Sequence, residues 1–181
     1  MRIIGGELGR RKIHPPSHMP HTRPTTDVAK EGLFNIIQNH LDIKELKTLD
    51  LFGGTGNISY ELASRGAEDL TIVEKDTVMY EFIRKTSLDL KLQHFNVLKM
   101  DVFKFINQCT EKFDFIFAGP PYELKNIDDL PKFIFEKKLL NPKGWFVLEH
   151  TPRNEYKSFP FYTAERNYGT TVFSVFIENR D

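Results

Sequence analysis

The pattern of apolar and polar positions divides the chain into an irregular opening and a long alternating remainder. Residues 1–24 read as a short strand over Arg2–Ile4, a turn at Gly5 and Gly6, and an extended loop punctuated by Pro15, Pro16, Pro20 and Pro24. Thr25 or Thr26 then caps a helix running to about His40, with Ala29, Leu33, Ile36 and Ile37 on one face. From Leu46 onward, short apolar runs alternate with helical periodicity. Strands are predicted at Leu46–Phe52, Leu70–Val73, Phe95–Met100, Phe113–Ala118 and Trp145–Glu149. Helices are predicted between them at Ile58–Ser64, Thr77–Leu90, Val102–Gln108 and near Asp129–Lys138. A hairpin turning at Tyr168 and Gly169 joins the last two strands, Phe161–Arg166 and Thr171–Glu178.

Strand–helix alternation implies parallel pairing with helices on both faces, because each crossover helix packs back on the sheet. The expected fold is therefore α/β and Rossmann-like, a mostly parallel seven-stranded sheet with an antiparallel C-terminal hairpin. In such sheets, ligands bind beyond the carboxyl ends of the strands. The unusual residues of this chain fall there.

At 181 residues the chain suits a single domain, 1–181, with 1–24 as a basic N-terminal arm. No apolar run is long enough for a membrane span, and the basic start lacks the apolar core of a signal peptide. One cysteine, Cys109, excludes an internal disulfide. These features predict a cytoplasmic enzyme or binding domain. Net charge is zero, yet Arg2, Arg10, Arg11, Lys12 and Arg23 against Glu7 give residues 1–24 a charge of +4, leaving −4 elsewhere. A basic arm on a neutral body suits phosphate binding, with Arg10, Arg11 and Lys12 as its densest cluster of charge. His14, His18 and His21 lie in the same segment, but no cysteine or nearby carboxylate completes a metal set; no metal is expected.

The first long strand leads into LDLFGGTGNIS, residues 49–59. Its glycines at 53, 54 and 56 permit a sharp turn and close approach to a ligand. Glu74, ending the second strand, suits a carboxylate accepting from two ribose hydroxyls. Asp101, ending the third, can accept from an adenine amino group. Asp50 can orient the loop or meet a cationic amino acid. Gly54-x-Gly56-x-x-Ser59 approximates a dinucleotide fingerprint, but Ser59 replaces its third glycine, and a pyrophosphate is ill-suited to so acidic a site. A ligand bearing sulfonium and ammonium groups, S-adenosylmethionine, suits it better.

After the fourth strand comes FAGPPYEL, residues 117–124. Pro120 and Pro121 fix the backbone, and Tyr122 offers a flat ring for stacking on a base. His150, after Glu149, reads as a packed strand-end histidine rather than a general base.

Taken with RIIGGELGRRKI, RPTTDVAKEGLFNII, VEKD, DVFKFI and FVLEH, these motifs resemble the bacterial small-subunit ribosomal RNA guanine-N2 methyltransferases over nearly the whole length. The resemblance implies a class I methyltransferase that uses S-adenosylmethionine and acts on ribosomal RNA, either naked or within an assembling small subunit. It implies cofactor contacts from Asp50, Phe52, Gly53, Gly54, Thr55, Gly56, Glu74, Lys75, Asp101 and Val102. The arm and Arg23 would face RNA, and Gly119, Pro120, Pro121 and Tyr122 would hold the target guanine. One departure stands out: the family usually carries Asp or Asn where this chain has Gly119. Such a side chain accepts a hydrogen bond from the target amine, so Gly119→Asp is expected to raise the rate. A DNA or protein amine methylase, and a non-catalytic ribosome-assembly factor, remain as alternatives.

Overall fold

The computed structural model describes residues 1–19 and 24–179. In chain order these form α1 (Asp27–His40), β1 (Lys47–Leu51), α2 (Asn57–Ser64), β2 (Asp69–Glu74), α3 (Thr77–Asp89), β3 (Phe95–Lys99), α4 (Val102–Gln108), β4 (Phe113–Ala118), α5 (Asp129–Glu136), β5 (Leu140–His150), β6 (Tyr162–Tyr168) and β7 (Thr171–Ile177). The starts of α1, α3 and α4 follow from capping side chains that satisfy otherwise orphaned backbone N–H groups. Thr26 accepts from Ala29 N at the start of α1, Asp76 from Met79 N at α3, and Asp101 from the amides of Phe103 and Lys104 at α4.

The strands form one sheet in the order β3-β2-β1-β4-β5-β7-β6. β3 through β5 run parallel, and β7 inserts antiparallel between β5 and β6. This is the expected class I methyltransferase architecture. Period-two alternation sorts side chains between two cores. Phe115 and Phe117 face α1, α2 and α3, whereas Ile116 and Ala118 face α4 and α5. Leu49 and Leu51 join the second core, so Asp50 between them points towards α2. No helix among the described residues is long and apolar enough to cross a membrane.

Two expectations change. β5 begins at Leu140 rather than Trp145, because Phe113 pairs with Leu140 before the register shifts to Phe115 with Trp145. Asn141, Pro142 and Lys143, the last at φ 63°, occupy that irregularity, which is why the segment does not read as strand. At the N-terminus, Arg2–Ile4 is not a ladder strand but makes one antiparallel bridge, Arg2 with Lys12. The first thirteen residues are nevertheless docked, with Ile3 and Ile13 buried in the first core.

Their anchor is a buried polar cluster on α1 and α2. Glu61 accepts from Ile4 N at 2.9 Å and Gly5 N at 2.8 Å. It also pairs with Arg65 at 2.9 Å and Lys30 at 3.3 Å. Lys30, fully buried, donates to Arg2 O at 2.6 Å and Asn57 Oδ1 at 2.8 Å. Burial lowers the Lys30 pKa against the pull of Glu61. Burial also opposes ionisation of Glu61, but the Ile4 and Gly5 amides, Lys30 and Arg65 together hold its pKa below the usual value.

Candidate active site

At the carboxyl ends of β1, β2 and β4, where the chain switches from one side of β1 to the other, lies a cavity of about 720 Å³. Its floor is the loop after β1. Phe52 enters it at φ 62° and Gly56 leaves it at φ 80° as the N-cap of α2. A Cβ on Gly56 would come within 2.5 Å of the Tyr60 ring, so the left-handed turn and the close packing both require glycine. Gly56 shapes the loop without lining the cavity. Phe52, Gly53, Gly54 and Thr55 do line it.

Six acids line the same cavity, Asp50, Glu74, Asp76, Asp101, Glu123 and Glu149, against Lys75 as the lysine or arginine among the described lining residues. Glu74 holds the loop in place: one carboxylate oxygen accepts from Gly54 N at 2.7 Å and the other from Asp76 N at 2.8 Å. Burial raises its pKa, and those two amides partly offset the rise. Asp101 is half-exposed and spends one oxygen on the α4 cap, accepting from Phe103 N at 2.9 Å and Lys104 N at 3.1 Å. The next residue, Val102, is buried at the cavity wall.

Asp50 is 3% exposed and accepts from the Ser59 hydroxyl at 2.7 Å. Ser59 therefore stands in place of the third fingerprint glycine because it supplies a donor to this carboxyl. Burial pushes the Asp50 pKa up to about 8, despite Ser59, with Glu74 and Glu149 adding repulsion. At neutral pH Asp50 thus holds its proton when no cation is near.

A pH dependence follows. An acid with a raised native pKa binds its proton more tightly folded than unfolded. Its stabilising contribution is complete below the ordinary carboxylate pKa and declines as pH rises towards 8. Urea titrations of wild type and Asp50→Asn between pH 5 and 8 should differ in slope by up to about 1.4 kcal/mol per pH unit. Parallel pH profiles would mean that Asp50 is ionised in the folded protein.

The cavity's far side is the loop after β4. Gly119, Pro120, Pro121 and Tyr122 all line it. The Tyr122 hydroxyl lies 3.5 Å from both Glu149 Oε1 and Thr171 Oγ1. Gly119 is absent from the positive-φ glycines, so its backbone suits an L side chain. Thr25 and Pro24 close the rim. Thr25 donates to Glu149 Oε2 at 2.8 Å, and its carbonyl accepts from Asn57 Nδ2 at 3.1 Å. Of the two threonines at the helix start, Thr26 caps and Thr25 faces the site.

Thr25, Asn57 and Asp76 were not singled out from the sequence as site residues, and Glu149 was noted there only beside His150. Strand-end position is the one signal that could have found Glu149. His150 itself is buried away from the cavity, its Nδ1 donating to Thr151 O and its Nε2 accepting from the Ser174 hydroxyl, each at 2.7 Å. Burial lowers its pKa, so it is a neutral packing residue. Arg10, Arg11 and Lys12 are exposed on the docked N-terminal turn, outside the cavity wall. Arg23 lies outside the described residues.

A family model described as Conserved hypothetical protein 95 matches residues 1–177. YlbH of Bacillus subtilis is 30% identical, covering 97% of this chain and 98% of that one. Ribosomal RNA small subunit methyltransferase D of Escherichia coli K12 is 30% identical over 82% of this chain and 71% of its own. Among solved structures, yhhF of Escherichia coli superposes with a TM-score of 0.85 at 24% identity, covering 100% of this chain and 99% of that one.

Proposed function

This chain belongs to the Conserved hypothetical protein 95 family, that of ribosomal RNA small subunit methyltransferase D, and from that membership we propose that it transfers a methyl group from S-adenosylmethionine to the exocyclic N2 amine of a guanine in small-subunit ribosomal RNA. The observation that carries the reading is the union, in one cavity, of the acid-lined glycine loop and the Pro-Pro-Tyr loop.

The donor set fits the cofactor. Six carboxyl groups around one cavity suit a ligand carrying sulfonium and ammonium charges, and a buried Asp50 that keeps its proton in their absence is a site prepared for a cation. Glu74 would hold the ribose hydroxyls, and Asp101 with Val102 the adenine edge. Phe52, Gly53, Gly54, Thr55 and Asp50, with Lys75 at the rim, would hold the amino-acid end, and Gly56 would keep the loop in shape. When bound, the cofactor would supply an electrophilic methyl carbon on a positive sulfur, which would serve as the leaving group. Pro120, Pro121 and Tyr122 then position a planar base, with Tyr122 as its stacking surface, so that catalysis rests on proximity and oriented acceptors. Labelled methyl should enter small subunits purified from cells lacking the gene and not those from wild-type cells, whose target is already modified. Equal labelling of both would remove this RNA as the substrate.

In this reading the basic turn and Arg23 supply the RNA contact. Changing Arg10, Arg11 and Lys12 together to Gln should weaken binding to single-stranded RNA. The salt dependence should flatten by about two units of slope, at roughly 0.7 per phosphate contact. Fluorescence anisotropy at several salt concentrations measures this. An unchanged slope would assign the turn to another role.

A further inference from the structure

Position 119 of the reactive loop has no side-chain acceptor, and the sheet register shows what stands beside it. Ala118 at the end of β4 pairs with Leu148 on β5, so the next residues, Gly119 and Glu149, emerge side by side at the cavity. A Cβ built on Gly119 would lie 3.4 Å from Glu149 Oε2. The Glu149 carboxylate therefore stands against the space that an aspartate or asparagine at 119 would fill. It is 5% exposed, and among the described residues it accepts from the Thr25 hydroxyl at 2.8 Å, with the Tyr122 hydroxyl at 3.5 Å. Thr25 is held in turn by Asn57, which is bonded to the buried Lys30. An acid set so firmly beside the planar-base loop is placed to act on what that loop holds.

We propose that Glu149 is a catalytic residue, supplying from β5 the side-chain acceptor that Gly119 lacks and binding an N–H of the target amine. The inference rests on the amine-methylating reading above. An amine conjugated with its ring has a poorly available lone pair, and an acceptor on one of its protons helps to direct that pair out of the ring plane. The nitrogen gives its lone pair to the methyl carbon and becomes cationic. It returns to neutrality by losing one N–H proton to a Glu149 oxygen, and the carboxyl then passes that proton to water.

Three variants test this: Glu149→Gln, Gly119→Asp and the two combined. The Gly119 backbone accepts a side chain, and the nearest obstacle is the far end of the Phe117 ring at 3.0 Å. The first readout needs no cofactor. By carbon-13 NMR titration, the carboxyl introduced by Gly119→Asp should titrate above the ordinary aspartate range because it shares a site with Glu149, and should return towards that range in the double variant. An unshifted carboxyl would overturn the geometry.

The second readout is single-turnover transfer to small subunits from cells lacking the gene, with S-adenosylhomocysteine affinity measured alongside by calorimetry. Glu149→Gln should slow transfer about 100-fold, with affinity held within about threefold. The double variant should recover at least about tenfold over Glu149→Gln. A Glu149→Gln protein as fast as wild type, or a double variant no faster than Glu149→Gln, would overturn the role. Absence of guanine-amine methylation by wild type would remove the substrate reading and this role together, a result distinct from either of those.

Discussion

Glu61→Ala should destabilise the protein by about 3–5 kcal/mol, the range for removing one partner from a buried ionic cluster. The substitution strands the Lys30 ammonium, which is fully buried, and leaves the Ile4 and Gly5 amides without their acceptor. For a chain of this size that corresponds to a fall in melting temperature of roughly 2–4 °C per kcal/mol. Lys30→Met should cost less, because Glu61 keeps Arg65 and both amides while the cost of burying the lysine charge disappears. The Glu61 contribution also has a sign in pH. Its native pKa is depressed, so its stabilisation is present above the ordinary glutamate pKa and is lost as pH falls through the native value. Urea denaturation of both variants measures the effect. A Glu61→Ala protein within about 1 kcal/mol of wild type would mean that the N-terminal segment is held mainly by Ile3, Ile13 and the bonds to Ser64.

Glu74→Ala should lower the affinity for S-adenosylhomocysteine by roughly 100-fold. Two ribose hydroxyls donating to a charged acceptor contribute about 1.5–3 kcal/mol each, non-additively, and 100-fold corresponds to about 2.7 kcal/mol. The loop adds to the loss, because Gly54 N and Asp76 N both donate to this carboxylate. Glu74→Gln separates the two contributions, since the amide keeps one carbonyl acceptor but turns N–H donors towards a backbone N–H. Calorimetry at pH 7 reads both variants. Unchanged affinity in Glu74→Ala would take the residue out of the ligand site and leave it as a loop clamp.

Most of the fold is legible in the sequence because apolar periodicity switches cleanly between strand and helix after Leu46, and because turn and cap residues mark the switches. The start of β5 is hidden by Pro142, whose missing N–H argues against a strand until the register shift accommodates it. The docking of the first thirteen residues is hidden for a different reason. Beyond the bonds within the segment, the amides of Ile4, Gly5, Glu7 and Leu8 donate to Glu61 and Ser64 on α2 rather than to a neighbouring strand, and a glutamate within a helix reads as solvent-facing. At the site, Asp50, Glu74 and Asp101 stand out because each ends or nears the end of a parallel strand. Thr25 and Asn57 do not, since a threonine and an asparagine at helix starts read as caps. Glu149 becomes informative only when the β4–β5 register sets it beside Gly119.

The chemistry proposed for the cavity is tested most directly by the identity of the product nucleoside. Small subunits from cells lacking the gene should be incubated with the protein and S-adenosylmethionine bearing a deuterated methyl group, and their RNA digested to nucleosides for mass spectrometry. The deuterated methyl should appear in N2-methylguanosine. Label confined to another nucleoside or to ribosomal protein, or no label from a protein that still binds S-adenosylhomocysteine, would contradict guanine-N2 methylation.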